Sequence, residues 1–411
     1  MRVVWIVLAV FLGSVAQAAP TPFVSLDRSV WPERLDSPVL FDVASRAQIL
    51  SFAQVLHDSE GLDEQALADR LQLRQINLQS VRAVRARMWG RLWNNYRQAL
   101  QSCDQDASFC FPAESLAELR TLAATFDTQV GAFYAGWVEP SRQFHVRYLD
   151  DLLRKAALLP RLESEVQRFL EPEDTGGTFG DRLFLLSVVG GPGLTDGTTE
   201  TLAHYLRQQQ VSGLFFVLGS RWQQRRDATS AAALRERYAD HCVGLQGWEY
   251  RSHAQWQDWQ ASLQRSQARI QSDAPQQYVG WFRPPYGQRR QDGQAFMAAR
   301  HLRVSLWDID AQDNGPLSAE QSAQRVLSLM LLWRQGIVQF NETSAKAQPA
   351  VQQLLTLTAQ SGIGWADCRG DFQPHPRRRT SRAPRIACRR TTNTGRLTLD
   401  CSRTWTTNQG V

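Results

Sequence analysis

The chain has no Cys-x-x-Cys pair and no His-Glu-x-x-His run, so it offers neither a zinc ribbon, a thioredoxin-like redox pair nor a zincin-type metal site. Beyond Gly13 no stretch reads as apolar enough to cross a bilayer, which argues against a membrane-spanning body. Acidic residues are missing from Leu71 to Leu100, where Arg82, Arg85, Arg87 and Arg91 fall. On a helix those arginines point in two roughly opposite directions, so they read as solvated surface rather than as a polyanion patch. The body of the chain also lacks net positive charge. Residues 369–411 hold ten Arg against two Asp, a surplus of +8 within a total of +6, which leaves −2 for the rest. No nucleic-acid partner is indicated. With 43% hydrophobic and 21% charged residues, the composition is that of a soluble globular protein, and 411 residues allow two domains.

The long apolar run is at the start. Arg2 precedes the apolar stretch Val3 to Gly13, and Ala16-Gln17-Ala18 supplies small residues where a signal peptidase reads. Residues 1–18 are therefore expected to be a cleaved secretory signal, and the protein to be periplasmic or secreted. Export permits disulfides. Cys103 and Cys110 bracket a short polar loop and suit a local pair; Cys242, Cys368, Cys388 and Cys401 leave three pairings open.

Apolar residues recur at helical spacing through most of residues 20–170, so this region is expected to be mainly α-helical, with Trp89, Trp93 and Trp137 in its core. It shows no recognisable chemistry. Residues 171–180 are polar and Gly-rich and read as a linker. From 181 to 368 short apolar runs alternate with amphipathic stretches, the pattern of an α/β fold with a parallel sheet or barrel. Function in such folds collects at the C-terminal ends of the strands. Residues 369–411 lack apolar periodicity and are expected to be a basic, disordered tail.

Five strand-end segments stand out: Leu186-Ser-Val-Val-Gly-Gly-Pro-Gly193, Val243-Gly-Leu-Gln-Gly-Trp-Glu-Tyr250, Phe282-Arg-Pro-Pro-Tyr-Gly287, Ser305-Leu-Trp-Asp-Ile-Asp-Ala-Gln-Asp-Asn314 and Gly336-Ile-Val-Gln-Phe-Asn-Glu342. In this order they resemble the five motifs of the polysaccharide deacetylases (carbohydrate esterase family 4, the NodB-homology domains). The resemblance implies a distorted (β/α) barrel, typically of seven strands, after the helical region. It also implies that a divalent metal such as zinc, a general base and a general acid would do the chemistry. Here the base position is Val189, the ligand positions are Gly190, Gln246 and Tyr250, and the acid position is Asn341. A Val cannot take a proton, a Gly cannot coordinate and an Asn is no acid near neutral pH. The scaffold around them persists: Arg283, Pro284 and Tyr286 of the third motif match the family, and Asp310 and Asp313 match in the fourth, with Asp313 expected to pair with Arg283. Trp248 and Trp307 are candidates to face the groove.

The expectation is an exported deacetylase-like protein, catalytically inactive and without a metal cofactor, that binds an N-acetylated polysaccharide or oligosaccharide, or an envelope protein, through the degenerate groove. Two alternatives stand beside it. One is an active carbohydrate deacetylase with a site rebuilt from residues such as Glu249, His253 and Glu342. The other is a scaffold in envelope polysaccharide assembly that acts through the helical region.

Overall fold

The computed structural model describes residues 23–169, 173–195 and 197–370, and the backbone of 387–393 and 396–402. The expected signal lies outside the described residues. Residues up to Cys368 form one compact unit and residues 369–411 a second.

Five helices lead: α1 (Pro38–Glu60), α2 (Glu64–Arg70), α3 (Leu78–Ala99), α4 (Leu116–Ala123) and α5 (Ala135–Ala157). Helix α1 starts cleanly because Ser37 accepts from Leu40 N and Pro38 occupies the first turn. It is long and apolar enough by composition to cross a membrane, contrary to the expectation that nothing after the leader would be. Its residues are instead buried almost all round, against α3, α4, α5 and a barrel helix. A helix apolar on every side is what a central core position requires. Within it, buried Arg46 donates to the carbonyls of Ala99, Asp106 and Ser108, fastening the loop that the Cys103–Cys110 disulfide closes.

The barrel strands are β1 (Glu173–Asp174), β2 (Leu183–Gly191), β3 (Leu214–Val217), β4 (Cys242–Leu245), β5 (Tyr278–Phe282), β6 (Arg303–Ser305), β7 (Ile309–Asp310), β8 (Gly336–Asn341) and β9 (Gly364–Trp365). All pair in parallel, in the order β1-β6-β5-β4-β3-β2-β8-β7, with β9 beside the start of β2. Just past β1, Thr175 O accepts from Ile337 N of β8 at 3.2 Å, so the sheet curls back on itself. The helices between the strands are α6 (Thr198–Gln208), α7 (Gly219–Ala228), α8 (Ala231–Arg237), α9 (Trp259–Asp273), α10 (Gln294–Ala299), α11 (Ala319–Trp333) and α12 (Ala347–Thr358). This is the expected distorted (β/α) barrel behind a helical region. Cys242, at the start of β4, is bonded to Cys368.

The regions meet in two ways. The supposed linker 171–180 contributes strand β1, because its polar Glu173 is neutralised by buried Arg289 at 2.5 Å and so tolerates a place in the sheet. The helical region is also joined to the barrel by a polar seam. Buried Arg334 ends α11 between Asp42 of α1 at 2.9 Å and Asp181 at 2.7 Å, and Asn95 Nδ2 caps the carbonyls of Leu332 and Trp333. In the second unit, expected to be disordered, 387–393 and 396–402 pair as an antiparallel hairpin, with Cys388 opposite Cys401.

Candidate functional site

The C-terminal ends of β2, β4, β5, β7 and β8 surround a cavity of about 320 Å³, bounded among others by Val189, Gln246, Tyr250, Tyr286, Trp307 and Asn341. The base and acid positions sit side by side, since Val189 of β2 is in register with Asn341 of β8. The ligand positions Gly190 and Gln246 also converge, for Gly190 N donates to Gln246 Oε1 at 2.8 Å. Gly190 holds φ +85°, a left-handed conformation that glycine adopts without a Cβ penalty. Tyr250 projects from the loop after β4 and meets Tyr286 edge-on at 4.7 Å. Tyr286 is itself left-handed at φ 60°, held between Pro285 and Gly287, and is 52% exposed. A tyrosine in that conformation is strained, and such strain concentrates at ligand sites.

Arg283, Pro284 and Asp310 also border the cavity. The expected Arg283–Asp313 pair does not form. All five Arg283 N–H groups find neutral acceptors: Ser305 O and Oγ, Ser187 Oγ, Gln339 Oε1 and Leu306 O. Burial lowers its pKa to about 9. Asp313 instead accepts from Asn341, from its backbone N at 3.1 Å and its Nδ2 at 2.8 Å. Burial raises the Asp313 pKa to about 6. The reason is local: an amide at position 341 carries its own donor to the nearest carboxylate.

Trp248 corrects a second expectation. The chain turns at Gly247 (φ +91°), Trp248 N donates to Ser262 Oγ at 2.7 Å, and the ring packs over Gly219 beneath the Arg265 guanidinium. It is not part of the cavity wall, whereas Trp307 is. Nor do Glu249, His253 and Glu342 reach the cavity. His253 is buried and its pKa lowered to about 4 by that burial. Glu342 is buried under Gly191, accepts from Tyr238 Oη at 2.5 Å and Thr199 Oγ1 at 2.9 Å, and is pushed up to about 7 by burial.

The helical region, silent in sequence, closes the groove. Lys155 at the end of α5 and the segment Leu162–Glu165 form one wall. Lys155 Nζ lies 2.6 Å from Glu165 Oε1 and 3.1 Å from Asp151 Oδ2, which hold it protonated against its burial. A Cβ on Gly287 would lie 2.5 Å from Glu165 N, so this wall presses directly on the Tyr286 turn. One compositional signal existed: Lys155 and Lys346 are the only two lysines among 46 basic residues, and a rare residue type at a groove wall is worth inspecting.

Residues 178–304 match the family model described as polysaccharide deacetylase. This segment is a polysaccharide deacetylase domain. Among solved structures, a peptidoglycan N-acetylglucosamine deacetylase is 17% identical over 49% of this chain and 92% of its own, with a TM-score of 0.43. A carbohydrate esterase family 4 pseudoenzyme from Bacillus anthracis is 18% identical over 45% and 63%, with a TM-score of 0.40. A family 4 carbohydrate esterase from Streptomyces lividans in complex with acetate is 21% identical over 45% and 91%, with a TM-score of 0.39. No curated protein matches. The deacetylase family uses a divalent metal, and the residues at its ligand positions here do not fit one. Gly190 has no donor, the Gln246 amide oxygen already accepts from Gly190 N, and the Tyr250 phenol is pushed up to about 12 by burial. Among the described residues no group of three His, Cys, Asp or Glu side chains is placed to hold a metal ion. Neutral amide and phenol donors make a weak site for zinc.

Proposed function

We propose that the deacetylase domain is a non-catalytic, exported glycan-binding module whose groove holds an N-acetylated sugar against Tyr286, Tyr250 and Trp307. The observation that carries this reading is the Gly190–Gln246 hydrogen bond. It joins two family ligand positions by a neutral contact while the groove around them stays open, which suits binding without chemistry. Hydrolysis by the family route needs a base, an acid and a metal, and all five side chains that would supply them are replaced. Aromatic faces with a few polar groups are the usual make-up of a ligand site of this size. Export is supported by the leader sequence and by two disulfides in the folded unit. Calorimetric titration with N-acetylglucosamine oligomers tests the reading. A Kd on the order of 0.1–1 mM and no acetate release are expected. Release of acetate that a single groove substitution abolishes would favour an active site of another kind.

A further inference from the structure

We infer that the groove continues past Trp307 into a second subsite that takes a carboxylate-bearing sugar of the same glycan. This rests on the glycan-binding reading above and adds the chemical class of the ligand.

A second cavity of about 390 Å³ lies between α3, α5 and the barrel. It shares Lys155, Glu165, Trp307 and Asp310 with the groove, so the two adjoin across the Trp307 ring. Its charges do not cancel. Lys155 is matched by Asp151 and Glu165, and Arg91 by Asp308. Arg325 donates to the carbonyls of Asp310 and Val24, with the Asp310 carboxylate near enough to favour its charge. Two guanidiniums remain. Arg87 donates to the carbonyl of Val166, and Arg168 to Thr175 Oγ1; neither is in an ion pair. The carboxylates of Asp174 and Asp308 are taken by Arg303 and Arg91.

Arg87 and Arg168 are both exposed and line this same cavity. Two like charges with unused donors gain most from an anion placed between them. The planar fork of a guanidinium matches a carboxylate in two-point contact. Because this cavity adjoins the groove, the anion best placed to reach it is one attached to the sugar next to the ring on Trp307. The arginines come from the helical region, so the subsite gives that region a share in recognition.

The test uses the full mature chain and two probes: a chitin hexasaccharide, which is N-acetylglucosamine throughout, and a hyaluronan hexasaccharide, in which N-acetylglucosamine alternates with glucuronate. Titrations at about 50 mM and about 500 mM salt should show hyaluronan binding about tenfold tighter at the lower value and losing that advantage at the higher. Replacing both arginines (Arg87→Gln with Arg168→Gln) should bring hyaluronan down to the affinity of chitin, while Tyr286→Ala weakens both. Hyaluronan binding no tighter than chitin, or keeping its advantage in the double variant, overturns the subsite and leaves the groove reading standing. If neither probe binds, the groove reading fails and the subsite with it.

Discussion

The two sides of the groove differ in what stands at the motif positions. In the loops after β5 and β7 ionisable side chains stand at the motif positions and meet neutral partners: Arg283 binds five neutral acceptors and Asp313 binds an amide. On the β2–β4 side the ionisable side chains themselves are gone, and Gln246 and Gly190 satisfy one another. A buried guanidinium without a carboxylate survives only when every donor is met, and here each one is. The difference teaches that uncharged residues at the motif positions are compatible with an open groove. Arg283 and Asp313 each bond to neutral partners, and the groove beside them stays open.

The most severe way to break this comparison is to put the missing groups back. Val189→Asp, Gly190→Asp, Gln246→His, Tyr250→His and Asn341→His in one chain should raise bound zinc from none to about one per chain, measured by elemental analysis after dialysis. A Cβ at Gly190 meets no heavy atom within 4 Å, so the new Asp is strained by φ alone. Asp tolerates that conformation better than most residues, at a cost of about 1–2 kcal/mol. Turnover should return less readily, because it needs alignment to about 0.5 Å. A folded variant without metal would show that donors at these strand ends do not converge.

Next in size, Arg283→Met should cost about 2–4 kcal/mol, read as a shift in urea midpoint at constant slope. It strips the donors from two buried carbonyls and two buried hydroxyls at once. A change below about 0.5 kcal/mol would mean that water replaces the guanidinium.

Glu342→Gln sharpens the contrast through pH. The Glu342 carboxyl is raised from 4.5 to about 7, so between those values the folded chain holds a proton that the unfolded chain releases. Stability from this group is therefore greatest below about pH 4.5, falls as pH rises and is fully lost above about 7. The Gln variant should match the parent near pH 4.5 and exceed it near pH 8 by on the order of 3 kcal/mol. An unchanged slope between the two pH values would place the proton elsewhere.

Much of this architecture is legible in the sequence, for a definite reason. Strand ends are local: an apolar run stopped by Gly190, Gly191 and Pro192, or by Pro284 and Pro285, announces both the strand and the loop that carries function. That locality gave the barrel, the convergence of Val189 with Asn341 and of Gly190 with Gln246, and the Cys103–Cys110 pair. What stayed hidden depends on distant partners. Asp313, expected to pair with Arg283, binds Asn341 instead, and only the folded distances decide that. Lys155 enters the groove because the helical region packs on the barrel, a contact between residues far apart in the chain.

The smallest expected effect separates the two tryptophans that the sequence could not tell apart. Trp307 borders the groove, whereas Trp248 is turned away by the Gly247 bend and covered by Arg265 at 3.6 Å from its ring. Trp307→Ala should therefore weaken N-acetylglucosamine oligomer binding about tenfold, or ~1.4 kcal/mol, in keeping with the loss of one aromatic face from a ligand site. Trp248→Ala should leave that affinity unchanged. It should still lower the melting temperature, because it removes the packing over Gly219 and a cation–π contact worth about 0.5–1 kcal/mol at an exposed site. Equal losses of affinity in the two variants would mean that the loop after β4 swings toward the groove when sugar binds, and the division drawn here between binding ring and packing ring would fall.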